Sequence, residues 1–351
     1  MILKNLFQEC VELGASDIHI KEWEPLILRV EGDMRVSTIP TRPTKLEMFD
    51  FLYTLVYGKK ERISYFKHNL EIDFGYQSKE DGSSYRWNAY MYMGRIAIAL
   101  RRIPENIKNL VELWLPKSLS KVLQSKQGLF LITGPTGSGK STTMASMLEA
   151  INEFRSEHVI TIEDPIEYIF HNKKSLFSQR EVGRDTLSFS RAIRSAMRED
   201  ADIIMIGEIR DAETMEIAMS LAETGHLVFS TLHTAGSVQT LSRIIQFFPS
   251  DVGSQIRTRI ADSLIGVLSQ RLIPRKDMKG RNAIREIMYV TSGIRNLIAK
   301  WEFQQIPTAI ETGTDEGMIT MRRYAETLRE KWVIEEKDYR GYFTNDSHGE
   351  E

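Results

Sequence analysis

One stretch decides the fold of this chain: Leu129-Phe130-Leu131-Ile132-Thr133-Gly134-Pro135-Thr136-Gly137-Ser138-Gly139-Lys140-Ser141. Its first five residues form an apolar run typical of a buried strand. The rest matches the pattern G-x-x-x-x-G-K-[ST], directly before a helical run that continues to Phe154. Glycines at this spacing let backbone N–H groups point at phosphate oxygens, while the lysine supplies a cation and the serine hydroxyl a Mg²⁺ ligand. The stretch therefore predicts a phosphate loop for ATP, with the candidate binding residues Gly134, Pro135, Thr136, Gly137, Ser138, Gly139, Lys140, Ser141 and Thr142.

The chain after this loop alternates apolar runs with helical stretches. The runs lie at 158–162, 203–206 and 227–232, and the alternation predicts a parallel α/β sheet. Ligands collect at the carboxyl ends of the strands in such sheets, so the residues just past each run are site candidates.

Two acids occupy such strand ends, Glu163 after the run 158–162 and Glu208 just past the run 203–206. One carboxylate can hold a hydrated metal while the other polarises the attacking water, and their spacing does not assign the two roles. We therefore predict Glu163 and Glu208 as catalytic acids and, together with Ser141, as the groups that hold Mg²⁺.

His226 and His233 flank the run 227–232. Side chains alternate along a strand, so a separation of seven places the two imidazoles on opposite faces and disfavours a shared metal. Their positions favour sensing of the γ-phosphate or hydrogen-bond coupling between the nucleotide and the sheet, and a solvated histidine at a strand end is the alternative interpretation.

The first hundred residues have a different pattern. Helical spacing over 1–13 and 46–57 and strand-like runs at 17–20, 26–33, 71–76, 85–93 and 95–101 predict an α+β domain. We expect this domain to span 1–104, followed by a linker over 105–116, a second domain over 117–345 and a polar tail over 346–351. Arginines in or beside these strands are candidates for neutralising charge on a phosphoryl group, namely Arg86, Arg95, Arg101 and Arg102.

The composition sets outer limits on function. A length of 351 residues predicts about two domains at roughly 150 residues each. The formal net charge of −2 gives no overall basic field for a nucleic acid. Cys10 is the single cysteine, the first residues do not resemble a signal peptide, and no stretch is apolar over the roughly 18 residues of a membrane span. These features predict a cytoplasmic protein.

Four motifs occur in order over residues 134–234: GPTGSGKST, TIEDPIEY, SAMREDADIIMIGEIRDAET and AETGHLVFSTLHT. The series resembles the secretion ATPase superfamily of type II secretion and type IV pilus motors, where the motifs are Walker A, the Asp box, an atypical Walker B and the His box. GASDIHI at 14–20 and GIRNLI at 293–298 are similar to the PilT-type retraction ATPases.

The resemblance implies a PAS-like N-terminal domain followed by a RecA-like P-loop ATPase domain, assembled as a homo-hexamer that uses ATP and Mg²⁺. It implies site roles for Glu163, Glu208, His226, His233, Arg86 and Arg101. Hydrolysis would move one domain against the other and act on an inner-membrane platform protein to retract the pilus. The protein would then lie at the cytoplasmic face of the inner membrane, with a paralogous pilus motor as a further partner.

Three alternatives remain at this point. A PilU-type accessory motor or another pilus or secretion ATPase carries the same motifs. A RecA-like nucleic-acid translocase is disfavoured by the near-neutral charge. A non-hydrolysing scaffold is disfavoured by the complete phosphate loop and both acids.

Overall fold

The computed structural model describes residues 2–78, 83–103, 106–276 and 280–344. The chain divides into two compact units. The first consists of Met1–Asn106, Asp164–Ile169 and Glu181–Asp185, and the second of Ile107–Glu163, Phe170–Arg180 and Thr186–Glu351. Pro104 and Glu105, where the predicted first domain meets the predicted linker, lie outside the described residues, as does the predicted tail 346–351.

The first unit is an antiparallel sheet with helices. Its elements are α1 (Ile2–Glu12), β1 (Asp17–Lys21), β2 (Ile27–Val30), β3 (Asp33–Val36), α2 (Lys45–Leu55), α3 (Lys60–Asn69), β4 (Glu71–Gln77), β5 (Ser84–Tyr92) and β6 (Arg95–Arg102). Within the described ranges, the strand order is β3-β2-β1-β6-β5-β4. The predicted α+β character of this half is confirmed.

Apolar residues at helical and strand spacing build the core of this unit. Phe7 of α1 stacks on Tyr85 of β5 with ring centroids 4.6 Å apart, and Trp87 is buried beside them in the same core. The patterns in the sequence did not predict α3 and β3. Phe66 is the one buried residue of α3, and all four residues of β3 are exposed, so neither element carries a clear hydrophobic period.

Two segments from later in the chain complete the first unit. The Glu181 side chain is buried, and its carboxylate accepts hydrogen bonds from the backbone N–H groups of Gly75 (2.9 Å) and Ile166 (3.3 Å). Gly75 belongs to β4, the last strand of the sheet, whose outer N–H groups have no ladder partner within the described sheet. Glu181 satisfies one of these edge donors.

The second unit contains the predicted parallel sheet. Its helices and strands are α4 (Ser120–Leu123), β7 (Gly128–Thr133), α5 (Lys140–Phe154), β8 (His158–Glu163), β9 (Leu176–Glu181), α6 (Phe189–Ala196), β10 (Ile203–Ile206), α7 (Ala212–Glu223), β11 (Leu227–Leu232), α8 (Ser237–Gln246), α9 (Gly253–Ser263), β12 (Leu264–Pro274), β13 (Arg281–Tyr289), α10 (Ser292–Ala299), α11 (Ile306–Thr312), α12 (Met321–Glu330) and α13 (Glu336–Thr344). Among the residues described, the strand order is β13-β12-β7-β11-β10-β8-β9.

The central strands of this sheet position the site. β7, β11, β10 and β8 pair in that order as parallel strands, and β12 is parallel to β7 and antiparallel to β13. Residues of β7, β10 and β11 are buried throughout, as expected for strands covered on both faces. The predicted α/β class is confirmed. In the part of the chain that the structure describes, none of the helices combines the length and apolar character needed to cross a membrane.

Candidate functional site

The phosphate loop joins the end of β7 to the start of α5. Gly134 has a φ of 146°, and a Cβ at this position would lie 2.2 Å from the Gln270 carbonyl oxygen, so the turn requires glycine. α5 begins at Lys140, which leaves the unpaired N–H groups of a helix N-terminus facing the loop. The Lys140 ammonium is mostly buried and donates to the carbonyls of Gly134 (2.9 Å) and Pro135 (3.1 Å).

Glu208 lies just past β10, where it is paired with two cationic or polar groups. Its Oε1 accepts from the Arg210 guanidinium, and its Oε2 lies 3.3 Å from His233 Nε2. Burial raises the pKa of the Glu208 carboxyl. The hydrogen bond and charge of Arg210, together with His233, lower it by a larger amount, so the pKa lies below its ordinary value. Glu208 is therefore held as a carboxylate.

His233 connects this carboxylate to the phosphate loop. It directly follows β11, and its Nδ1 lies 3.4 Å from Thr136 Oγ1 and 3.5 Å from Lys140 Nζ. Its Nε2 faces Glu208 at the same time. The structure therefore places His233 between the phosphate loop and Glu208, and its predicted role in sensing the γ-phosphate stays a prediction.

Glu163 lies at the end of β8 and is buried. Its Oε1 accepts from the Thr161 hydroxyl (2.7 Å) and from Gln179 Nε2 (3.3 Å). The backbone of Gly207 donates to the Ile162 carbonyl at 2.8 Å, which joins the end of β8 to the residue before Glu208. The two predicted acids therefore lie at neighbouring strand ends.

His226 lies elsewhere. It precedes β11, and its carbonyl accepts from the N–H of Gly128, the first residue of β7, while its Nδ1 lies 3.2 Å from the Leu221 carbonyl. His226 therefore lies at the amino ends of the parallel strands, whereas the phosphate loop follows their carboxyl ends. The structure does not bring His226 to the loop of its own chain, and its predicted catalytic role stays a prediction.

Arg86 and Arg101 belong to the first unit, where they face each other directly across β5 and β6. Like charges in such a pair are destabilising unless they are offset. Arg101 Nε donates to Asp17 Oδ1 at 2.8 Å, and Arg86 lies 3.8 Å from Asp73. Both side chains keep about half or more of their surface exposed, so their guanidinium groups remain accessible to another molecule. Their predicted role at a phosphoryl group stays a prediction.

Several residues of the site escaped the sequence analysis. Arg210 was within reach of it, because it follows Glu208 by two residues. Gln179 supports Glu163, and the Thr231 hydroxyl donates to the Gly207 carbonyl at 2.7 Å. Gln270 contacts the loop from β12. Gln179 and Gln270 lie outside the four motifs, and only the pairing of strands brings their side chains to the site.

The donor set at the strand ends suits Mg²⁺ bound together with phosphate. Within residues 2–78, 83–103, 106–276 and 280–344 there is no group of three or more His, Cys, Asp or Glu side chains arranged to hold a metal by themselves. Mg²⁺ usually keeps several waters and binds through one or two protein oxygens plus substrate phosphates. The Ser141 hydroxyl at the start of α5 and the carboxylates of Glu208 and Glu163 are oxygen donors of this kind.

Comparison with known proteins gives one family. The profile of the type II/IV secretion system protein family matches residues 1–340. The chain is 40% identical over 340 residues to the type IV pilus retraction ATPase PilT of Pseudomonas aeruginosa, covering 97% of each chain. It is 38% identical over 320 residues to the type IV pilus ATPase PilU of the same organism, covering 91% of this chain and 83% of the relative. The crystal structure of the pilus retraction motor PilT with bound ADP superposes with a TM-score of 0.88 at 39% identity, covering 97% of this chain and 96% of that one.

These similarities extend through both units, and the matched range 1–340 covers the phosphate loop, Glu163, Glu208 and His233. The resemblance that the motifs indicated is confirmed over nearly the whole sequence. This chain belongs to the type II/IV secretion system protein family.

Proposed function

We propose that the chain binds and hydrolyses ATP and uses the energy to power retraction of a type IV pilus. The observation that carries the proposal is the line of contacts from Lys140 through His233 to Glu208 at the ends of parallel strands. This line joins a phosphate-binding cation to an ionised acid, which is what phosphoryl transfer to water requires.

Each group has a chemical task in this proposal. Lys140 neutralises charge on the β- and γ-phosphates, and the N–H groups of the loop and of the α5 N-terminus bind their oxygens. Glu208 orients and polarises the attacking water. His233 senses whether the γ-phosphate is present and passes this on through its contact with Glu208. A bound Mg²⁺ supplies charge neutralisation at the phosphates, and Ser141, Glu208 and Glu163 are the groups that would hold it or its waters.

The pilus role is supported by the relatives. One is described as a pilus retraction ATPase, and the superposed structure as a pilus retraction motor with bound ADP. We propose a homo-hexamer in which Arg86 and Arg101 of one copy serve the nucleotide of a neighbour, a heterologous contact that closes into a ring. We further propose that the ring acts on a platform protein at the cytoplasmic face of the inner membrane. We also propose that the first domain ends at residue 104 and that a linker over 105–116 joins it to the second domain.

A second candidate is an accessory motor of the PilU type, because the identities to PilT and PilU differ by little, 40% and 38%. Deletion of the gene separates the roles. If the chain is the retraction motor, we expect the deletion strain to accumulate surface pili and to lose twitching motility. Pili that still retract through another motor would support the accessory role, and loss of pili altogether would indicate an assembly motor.

The enzymatic part is tested on purified protein. We expect Mg²⁺-dependent release of phosphate from ATP, loss of nucleotide binding in Lys140→Ala, and a fall in turnover of about 100-fold or more in Glu208→Gln with binding retained. Glu213→Gln is the matched control, since this exposed acid also pairs with an arginine, Arg194 at 2.8 Å, but lies in α7. Full turnover in Glu208→Gln together with its loss in Glu163→Gln would reverse the roles of the two acids.

A further inference from the structure

Gln270 belongs to β12 and to none of the motifs, yet its side chain contacts the phosphate loop at Ser138 and helix α5 at Thr143. Its Nε2 donates to the Ser138 carbonyl at 2.8 Å, and its Oε1 accepts from the Thr143 hydroxyl at 2.9 Å. The side chain is 1% exposed, so neither bond is shared with bulk water. A carbonyl only accepts, so the contact with Ser138 assigns the NH₂ end of the amide to the loop.

The Ser138 contact fixes a peptide plane that faces the nucleotide. In a trans peptide the C=O of one residue and the N–H of the next point in opposite directions. Holding the Ser138 carbonyl toward Gln270 of β12 therefore turns the Gly139 N–H away from that side chain. The loop motif depends on this orientation, because its backbone N–H groups bind the phosphates.

The backbone of β12 and the Gln270 side chain form a wall behind the loop. A Cβ at Gly134 would lie 2.2 Å from the Gln270 carbonyl oxygen, and one at Gly139 would lie 3.3 Å from its Nε2. Thr143 lies in the first turn of α5, so the same amide also ties the loop to the helix whose N-terminus faces the phosphates.

We infer that Gln270 is a positioning residue for nucleotide binding: its amide holds the Ser138–Gly139 peptide in the orientation that binds phosphate. The inference rests on the proposed nucleotide binding and adds a residue outside the loop that determines the strength of that binding. Gln270 does not touch the nucleotide in this account, and its effect passes through the loop.

The test is the near-isosteric substitution Gln270→Glu, with binding of ADP labelled with a methylanthraniloyl fluorophore measured on the full chain in the presence of Mg²⁺. An ionised carboxylate cannot donate to the Ser138 carbonyl and repels it, whereas the protonated acid can donate. Burial raises the pKa of a carboxyl group, so we expect the carboxyl introduced by Gln270→Glu to ionise between roughly pH 6 and pH 9. We expect affinity about 30-fold below that of the unsubstituted chain at pH 9 and within about threefold of it at pH 6.

Two further substitutions separate positioning from general damage. Thr143→Val removes the other contact of the amide and is expected to weaken binding about fivefold at every pH, while Thr143→Ser retains the hydroxyl and restores binding. Ser269→Ala is the matched control. The Ser269 hydroxyl bonds the Thr133 hydroxyl at 2.7 Å between β12 and β7, one residue from Gln270. We expect it to lower the thermal unfolding midpoint and to leave affinity unchanged.

The outcomes distinguish this inference from the function on which it rests. Absence of binding by the unsubstituted chain would overturn the proposed function and the inference with it. Binding by the unsubstituted chain, with Gln270→Glu equal to it at every pH, would overturn the inference alone. A Gln270→Glu defect that does not change with pH and tracks a lowered unfolding midpoint would also overturn it, since that result describes structural damage.

Discussion

Tyr324→Phe is expected to destabilise the second unit strongly, because the lost hydroxyl serves a buried cation. Arg285 on β13 is 1% exposed, and Nη1 donates to the carbonyls of Leu113 (2.9 Å) and Ala283 (3.2 Å) and to the Tyr324 hydroxyl (2.8 Å). No carboxylate is among these partners, and Nε has no hydrogen-bond partner in the described residues. Burial lowers the pKa of Arg285, and the Tyr324 hydroxyl opposes that shift. The Tyr324 hydroxyl also donates to the Trp114 carbonyl.

The magnitude follows from these two bonds. A hydrogen bond to a charged group contributes about 1.5–3 kcal/mol and one between neutral groups about 0.5–1.5 kcal/mol. Loss of both bonds is expected to lower the free energy of unfolding by about 3 kcal/mol, which is near the middle of the two ranges added together. Because Leu113 and Trp114 precede the second unit's first helix, the segment before α4 is expected to loosen together with α12.

Urea unfolding measures the total change, and native-state hydrogen exchange localises it. Amides of α12 are expected to exchange roughly 100-fold faster, since 1.4 kcal/mol corresponds to a factor of ten. The control is Tyr339→Phe, which removes a hydroxyl that donates from α13 to Glu326 of α12 at 2.9 Å in a half-buried position. We expect the control to lose about 1 kcal/mol or less. A loss below about 0.5 kcal/mol in Tyr324→Phe would refute the view that this hydroxyl is needed to solvate Arg285.

Three further predictions concern other parts of the chain. Gly134→Ala should abolish nucleotide binding by steric conflict with β12, whereas Gly137→Ala, at φ 75° with open space around the Cβ, should cost only about 1 kcal/mol of backbone strain; fluorescence titration with labelled ADP compares them, and equal binding would contradict the steric argument. Glu181→Gln should destabilise the first unit by about 1–3 kcal/mol in urea unfolding, because one of two buried N–H donors then faces an NH₂ group; an unchanged midpoint would mean that this carboxylate is dispensable. Burial raises the pKa of Asp17, but the bond to Arg101 and nearby groups lower it by more, so the folded-state pKa lies below the ordinary value. The Asp17 carboxylate therefore stabilises the fold above about pH 4, and this contribution is lost as pH falls through the folded-state pKa. In Asp17→Asn the unfolding midpoint should vary less with pH in that acid range.

The second unit was the more predictable from sequence, for a physical reason. The strands at 128–133, 203–206 and 227–232 are covered on both faces, so each is a mostly apolar run. α3 and β3 in the first unit have little or no buried surface, and their patterns carry no period to detect. Hydrophobic patterning therefore identifies elements in proportion to how much of them is buried.

The sequence by itself determined the phosphate loop, both strand-end acids and the family, because each depends on residues that are neighbours along the chain. Loop geometry and strand ends are local properties that a motif can specify. The tertiary structure alone decided that His233 lies between Lys140 and Glu208, whereas His226 lies at the opposite end of β11.

Tertiary structure also decided the supports of the site. Gln270 reaches Ser138 of the phosphate loop across 132 positions of sequence. Elsewhere in the second unit, Arg285 reaches Leu113 across 172 positions. These contacts depend on the register between strands distant in sequence, which the packing of the whole sheet sets. A motif contains residues that are close together in sequence. The side chains that hold such residues in place from other strands can be identified only from the pairing of the strands.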